Sequence, residues 1–305
     1  MSADATSQIL VVGRQGQAAT ALAHVAKKRG VPLVCSGRPQ LDLLDPLTLN
    51  QVLDTLRPRS IINAAAYTDL DRGQTDIDTA FAINQTGPAF LAREAERRNI
   101  PLIHMSTDCV FDGREERPYT EADAPNPISV YGASKLSGER AVASECRRHL
   151  IARVSWVYSS FGGSFVRTML RLAEGRDTIR VVSDQIGHPT HSLDIAAALL
   201  DMEDAARRPA FEGWGVYHLA ADAPVDRASQ AAEIFEMSVT MGGQTAAVEP
   251  VSTAAFGAAA PRPANARLDA SKAISTFGFS FRDWRTGTRE TVSAILAETD
   301  RPLSS

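Results

Sequence analysis

The stretch "NPISVYGASKLSGE" sets Tyr131 and Lys135 four residues apart, on one face of any helix they share. A free tyrosine hydroxyl has a pKa of about 10 and is a poor acid–base group near neutrality. A neighbouring ammonium stabilises the phenolate and lowers that value. The pair therefore suits protonation of a carbonyl oxygen while hydride reaches the carbon. Upstream, "HMSTDCVFDG" offers the hydroxyl of Thr107 to polarise the same carbonyl, with Asp108 beside it. A Tyr-x-x-x-Lys spacing also arises by chance on solvated helices. The chemistry needs a hydride source and elements that hold these groups in order.

Those elements are legible upstream. "QILVVG", "VPLVCSG", "SIINAAA", "PLIHMSTD" and "HLIARVSWVY" are nearly continuous apolar runs separated by helical patterns. Strands that are apolar throughout belong to a parallel sheet covered on both faces. Regular strand–helix alternation predicts an α/β fold, a Rossmann-type doubly wound parallel sheet. A long helix is expected from about Asp76 to Asn99, and the helix of Tyr131 follows the fourth strand. After about Tyr158 the rhythm loosens. Residues 1–160 read as a dinucleotide-binding domain and 161–305 as mainly a smaller substrate-binding lobe, with interleaved boundaries. The Ala- and Pro-rich stretch from Thr245 to Ala264 reads as loops.

"VVGRQGQAA" places Gly13 and Gly16 between the first strand and first helix, where backbone N–H groups and a helix N-terminus can receive a pyrophosphate. Ala19 stands where a third glycine is usual. The second strand ends "CSGRPQLD", with no acid immediately after it to take a ribose diol. Ser36 and Arg38 can instead accept a 2′-phosphate, so the expected cofactor is NADPH, with NADH the alternative. Arg38 can equally be a solvated loop residue. Asp42 suits the adenine amino group, or a loop position near the next helix.

Together these stretches resemble the extended short-chain dehydrogenase/reductases, and more closely the dTDP-4-dehydrorhamnose reductase family. The resemblance runs from Gly13 to about Asp269 and rests on "STDCVFDG", "YGASKLSGE", "SWVY", "DQIGHPT" and "RPANARLD". It implies that Thr107, Tyr131 and Lys135 are the catalytic trio. It implies cofactor contacts from Gly16, Gln17, Asp42, Leu43, Ala66, Tyr67 and Thr68. Thr107, Asp108 and Trp156 would contact the deoxyhexose. Gln185, in the "DQIGHPT" loop, and Arg262 would lie toward the nucleotide and its diphosphate. The implied reaction is reduction of the 4-keto group of a dTDP-sugar. His188 reads as structural. The chain departs from the family pattern at Gly73, Gln74, Val154, Ser164 and Ala266. Gln74 replaces a glutamate, which leaves open the Mg²⁺ that some members hold at a dimer contact. Monomer and homodimer both stay open.

Composition narrows the classes further. The net charge of -4 leaves no basic footprint for nucleic acid and no polybasic membrane segment. Cys35, Cys109 and Cys146 are widely spaced and form no CxxC pair, which suits a reducing, cytoplasmic compartment. "MSADATSQ" lacks the basic and apolar regions of a signal peptide and reads as a frayed start. Two other readings compete: a nucleotide-sugar epimerase or dehydratase that recycles bound NAD, and a non-catalytic dinucleotide-binding regulatory subunit. A dehydratase would want a second carboxylate near Thr107, and "STDCV" supplies only Asp108.

Overall fold

The computed structural model describes residues 7–299. Most of the opening segment read as a frayed start, residues 1–6, lies outside the described residues. Strands β1 (Ile9–Val12), β2 (Leu33–Ser36), β3 (Ser60–Asn63), β4 (Leu102–Thr107), β5 (His149–Val154) and β6 (Gly215–Leu219) form one parallel sheet in the order β6-β5-β4-β3-β1-β2. The chain steps from β1 to β2 on one side, then returns to place β3 on the other. That reversal opens a crevice at the carboxyl ends of β1 and β3.

Helices α1 (Gln17–Arg29) and α5 (Ser192–Ala206) cover one face, packing Leu22, Ala26, Leu199 and Met202 onto Ile9, Val11, Ile103 and Leu150. On the other face, α2 (Pro46–Leu56), α3 (Gly87–Arg97) and α4 (Val130–Glu145) pack Leu49, Leu53, Leu91 and Val142 onto Leu10, Val12, Ile61 and Ile151. Covering both faces is why the strands carry no polar alternation. Although α5 and β6 lie late in the chain, they belong to this sheet layer. No helix among the described residues is long and apolar enough to cross a membrane.

A second apolar cluster sits apart from the sheet. Val166, Met169, Ile179, Val181, Ile234, Phe235, Val292 and Ile295 come from helices Phe165–Ala173, Arg227–Thr240 and Trp284–Thr299 and strand Thr178–Val182. The Thr245–Ala264 stretch, read above as loops, contains strand Ala247–Val251, paired in parallel with Thr178–Val182, and a short helix Thr253–Phe256. Its strand mixes exposed and half-buried positions without a clean period of two, so the pattern was masked.

The expected helix from Asp76 to Asn99 is broken. Ile77–Phe81 is α-helical, Ala82–Thr86 is a π turn, and α3 resumes at Gly87. The π turn points Asn84 inward, and Gly138 of α4 packs against its carbonyl. A Cβ on Gly138 would stand 2.0 Å from that oxygen. Single π turns of this kind commonly serve sites.

Candidate active site

Helix α4 begins beside β4 because of two local features. Ser129 caps it, its hydroxyl accepting from the Gly132 N–H at 3.1 Å. Gly132 then lets the first turn touch the loop after β4, where a Cβ would stand 2.1 Å from the Cys109 carbonyl oxygen. This contact sets Tyr131 against Thr107 at the end of β4. The Thr107 hydroxyl donates to Asp108 Oδ1 at 2.9 Å and accepts from Cys109 N at 3.1 Å. The Ser155 hydroxyl donates to the other Asp108 oxygen at 2.9 Å. Burial raises the Asp108 carboxyl above its ordinary value, against the pull of these hydrogen bonds.

Lys135 lies one turn behind Tyr131 and is 2% exposed. Its ammonium donates to the Met105 carbonyl at 2.7 Å and lies 3.3 Å from Nε2 of His104. Nδ1 of His104 lies 3.0 Å from the Asn63 amide, whose oxygen accepts from Ala65 N at 3.2 Å. Burial holds His104 well below its ordinary value, so its ring is neutral. Burial also pulls Lys135 down to about 8, while the Glu139 carboxylate pulls it back up. Glu139 itself is buried and held by Arg153 at 2.9 and 2.7 Å, with the Ser106 hydroxyl donating to it.

The expected effect of Lys135 on Tyr131 is not present in this geometry. Loss of water raises the Tyr131 hydroxyl above its ordinary value, with the Cys109 and Asp108 side chains adding and hydrogen bonding to Thr107 opposing. The lysine ammonium is turned to Met105 and His104. Tyr131 is therefore fully protonated at neutral pH, the form a proton donor needs.

Most of the predicted residues converge on one cavity of about 580 Å³. It is lined by Gly16, Gln17, Ala66, Thr68, Thr107, Asp108, Tyr131, Lys135, Trp156, Gln185 and Arg262. Gly13, Ser36, Arg38, Asp42, Leu43 and Tyr67 lie outside that lining. Gly13 makes the turn after β1 with φ +130, a conformation L side chains rarely adopt. Ser36 is half-buried and Arg38 exposed at the end of β2. The Asp42 carboxylate is taken by Leu44 N at 2.9 Å, the loop role weighed above. Leu43 is buried against Gly87. Tyr67 N donates to Asn84 Oδ1 at 2.8 Å, and Asn84 Nδ2 donates to Tyr67 O and to the Ser134 hydroxyl, each at 3.0 Å. Asn84 thus clamps the segment after β3 to α4.

The residues present fit a dinucleotide. Gly16 is the N-cap of α1, with no side-chain cap and no atom within 4 Å of where a Cβ would be. The helix N-terminus is open to an anion at the switch point of the sheet. Gln17 is less free than expected: its amide donates to Gly163 O at 2.7 Å and accepts from the Ser159 hydroxyl at 3.0 Å, tying the 159–163 loop over the cleft.

The opposite wall hangs from a three-stranded sheet of two-residue strands, Val225–Asp226, Ile186–Gly187 and Asn265–Ala266. Gln185 precedes its middle strand and is held to the Thr253 hydroxyl at 2.9 Å. Arg262 grips Asp71 with two bonds, at 2.8 and 3.2 Å. Arg227 follows the Val225–Asp226 strand and lines the cavity as well. His188 is buried, its Nδ1 hydrogen-bonding the Ala221 carbonyl, a structural placement. Asn84, His104, Glu139, Arg153 and Arg227 were missed by sequence reasoning. The four inner ones are polar residues in apolar runs or helices. That pattern was the available signal, since a buried polar group needs a partner.

No group of three or more His, Cys, Asp or Glu able to hold a metal occurs among the described residues. Gln74 is half-buried, and its amide nitrogen has no partner.

Comparison with known proteins agrees with this architecture. The family model described as the RmlD substrate binding domain matches residues 7–297. A dTDP-4-dehydrorhamnose reductase of Sinorhizobium fredii is 40% identical, covering 95% of this chain and 98% of that protein. A spore coat polysaccharide biosynthesis protein of Bacillus subtilis is 34% identical, covering 93% and 96%. Among solved structures, the dTDP-4-dehydrorhamnose reductase of Bacillus anthracis in complex with NADP aligns with a TM-score of 0.85 at 30% identity, covering 96% of this chain and 99% of that one. The match is sustained over nearly the whole length, and the chain belongs to the dTDP-4-dehydrorhamnose reductase family.

Proposed function

We propose that this protein reduces the 4-keto group of dTDP-4-dehydro-6-deoxy-L-mannose with NADPH, yielding dTDP-L-rhamnose. The observation that carries the reading is the meeting of Thr107, Tyr131 and Lys135 in one cleft with the open N-terminus of α1. NADPH, when bound, supplies hydride from its nicotinamide to the carbonyl carbon. Gly16 and the first turn of α1 would hold its pyrophosphate, and Lys135 its nicotinamide ribose. Ser36 and Arg38 would take the 2′-phosphate.

Tyr131 donates its phenolic proton to the carbonyl oxygen as the oxygen gains charge. The raised Tyr131 value keeps that proton in place until it is needed. Thr107 hydrogen-bonds the same oxygen and stabilises its developing charge. Lys135 holds positive charge below pH 8 or so, the form that would donate to the ribose. Asp108 and Trp156 line the hexose end. The N-terminal 160 residues would form the dinucleotide half and residues 161–305 mainly the sugar half. Free Cys35, Cys109 and Cys146 support a reducing, cytoplasmic setting.

The test is purified protein mixed with this keto-sugar and NADPH, following absorbance of the reduced nicotinamide. Consumption with the dTDP-sugar and not with UDP- or GDP-linked keto-sugars is expected. No consumption, together with NAD carried through purification and interconversion of sugars without net oxidation, would favour an epimerase instead.

A further inference from the structure

Arg227 is the one residue of the cleft whose charge has no settled role. It opens helix Arg227–Thr240, directly after the edge strand of the three-stranded sheet. Its guanidinium carbon lies 3.4 Å from the centroid of the Trp156 ring and 4.7 Å from that of Phe165. Trp156 has a left-handed φ of 41 and rests on Gly187, where a Cβ would meet the ring at 2.4 Å. The indole is thus already covered by Gly187 and Arg227. This wall presents the guanidinium to the cavity alongside the remaining surface of the indole.

A guanidinium stacked on an aromatic face keeps its N–H edge free for in-plane hydrogen bonds. Arg227 spends one such bond on Gln230 Oε1 at 3.0 Å and makes no ion pair among the described residues. Asp108 attracts it electrostatically without a direct bond, its two oxygens accepting from Thr107 and Ser155. Arg262, which lines the same cavity, differs: Asp71 grips it with both oxygens. The two guanidinium groups repel each other, and burial pulls Arg227 down to about 9. A half-buried cation with no carboxylate bonded to it, in the field of a second cation, is stabilised by an anion bound beside it.

We propose that Arg227 is the principal cation for the diphosphate of the sugar nucleotide, with Arg262 a secondary one held in place by Asp71. This rests on the reading above that the substrate is a nucleotide sugar. The position suits that chemistry. The β-phosphate is bonded to the anomeric carbon of the hexose, and Arg227 lines the cavity that also holds Thr107, Tyr131 and Arg262. Neither the reductase chemistry nor the resemblance assigns this residue.

The experiment is a calorimetric titration of NADP⁺-saturated protein with dTDP and, separately, with thymidine, so that the cofactor's own phosphates are already in place. Arg227→Gln should weaken dTDP by about 10- to 100-fold, the range for hydrogen bonds to a charged group, and leave thymidine unchanged. Arg227→Lys should recover part of the loss, and Arg262→Gln should lose less than Arg227→Gln. Unchanged dTDP affinity in folded Arg227→Gln overturns the proposal. Equal losses for dTDP and thymidine also overturn it, assigning Arg227 to bracing Trp156. If Arg227→Gln proves unstable to heating, Arg227→Lys carries the same test through the ratio of the two affinities. A UDP titration separates the two readings: wild-type preference for UDP over dTDP contradicts the proposed substrate, while the Arg227 effect would still be read on UDP.

Discussion

The wall of the cleft that carries Gly16, Ala66, Thr107 and Lys135 hangs from strands of four to six residues, all parallel. The facing wall, carrying Trp156, Gln185, Arg227 and Arg262, is organised around three strands of only two residues each. On the first wall a residue's place is set by ladder hydrogen bonds and helices packed on both faces. On the second it is set by segments far apart in the chain meeting pairwise, backed by one-to-one contacts such as Arg262 with Asp71 and Trp156 with Gly187. The first arrangement is rigid and general. The second is a set of separately adjustable contacts, which suits the side of an enzyme that selects its substrate.

Substitutions can break this contrast in order of effect. Tyr131→Phe should lower kcat by about 10²- to 10⁴-fold, the usual worth of a general acid. NADPH affinity, measured by fluorescence titration, should stay within about twofold, because Phe fills the same space. A matching loss of NADPH affinity would mean that Tyr131 serves binding and not proton transfer.

Glu139→Gln probes what the sheet-side wall rests on. It leaves Arg153 buried without its carboxylate, and urea unfolding should show a loss of about 3–5 kcal/mol. A loss below about 1 kcal/mol would show that the wall does not depend on this pair.

Gly187→Ala sharpens the contrast from the other side. Its Cβ would collide with the Trp156 ring, costing about 1–3 kcal/mol of stability from overpacking. In steady-state assays the KM for the sugar nucleotide should rise while that for NADPH holds. Equal rises in both would mean that the two walls are mechanically coupled.

The smallest expected effect is in the pH profile. Lys135 is charged below about 8 and neutral above it, so kcat/KM should fall as pH rises through that value. The groups acting on it are the Glu139 carboxylate, the neutral His104 ring and the Met105 carbonyl. Glu139→Gln removes the field that supports the ammonium and should move the alkaline limb to lower pH. An unmoved limb would assign the titration to another group.

Legibility followed the same division. The strand runs, Gly13 and Gly16, and the Tyr131–Lys135 spacing could be read directly, because periodicity and turn chemistry act over a few residues. Trp156, Gln185 and Arg262 came only from motif resemblance, since two-residue strands carry no periodic signal. Arg227 escaped both, as a charged residue in a helical pattern ordinarily reads as solvated surface. The π turn was also invisible: its cause is the contact of Asn84 with Gly138 and Ser134, which are about 50 residues away along the chain. That burial raises Tyr131 here was not legible, because spacing on a helix does not say where a long side chain points. Here the Met105 carbonyl and His104 draw the ammonium away.

The central claim is hydride transfer to C4 of a dTDP-linked keto-sugar with a proton from Tyr131. It is tested most directly by incubating the protein with dTDP-4-dehydro-6-deoxy-L-mannose and NADPH carrying deuterium at both C4 positions of the nicotinamide, then recording the product by NMR. Deuterium is expected at C4 of the hexose in wild type, with almost none formed in the same time by Tyr131→Phe. Product with protium at C4, or equal label from the tyrosine variant, would contradict it.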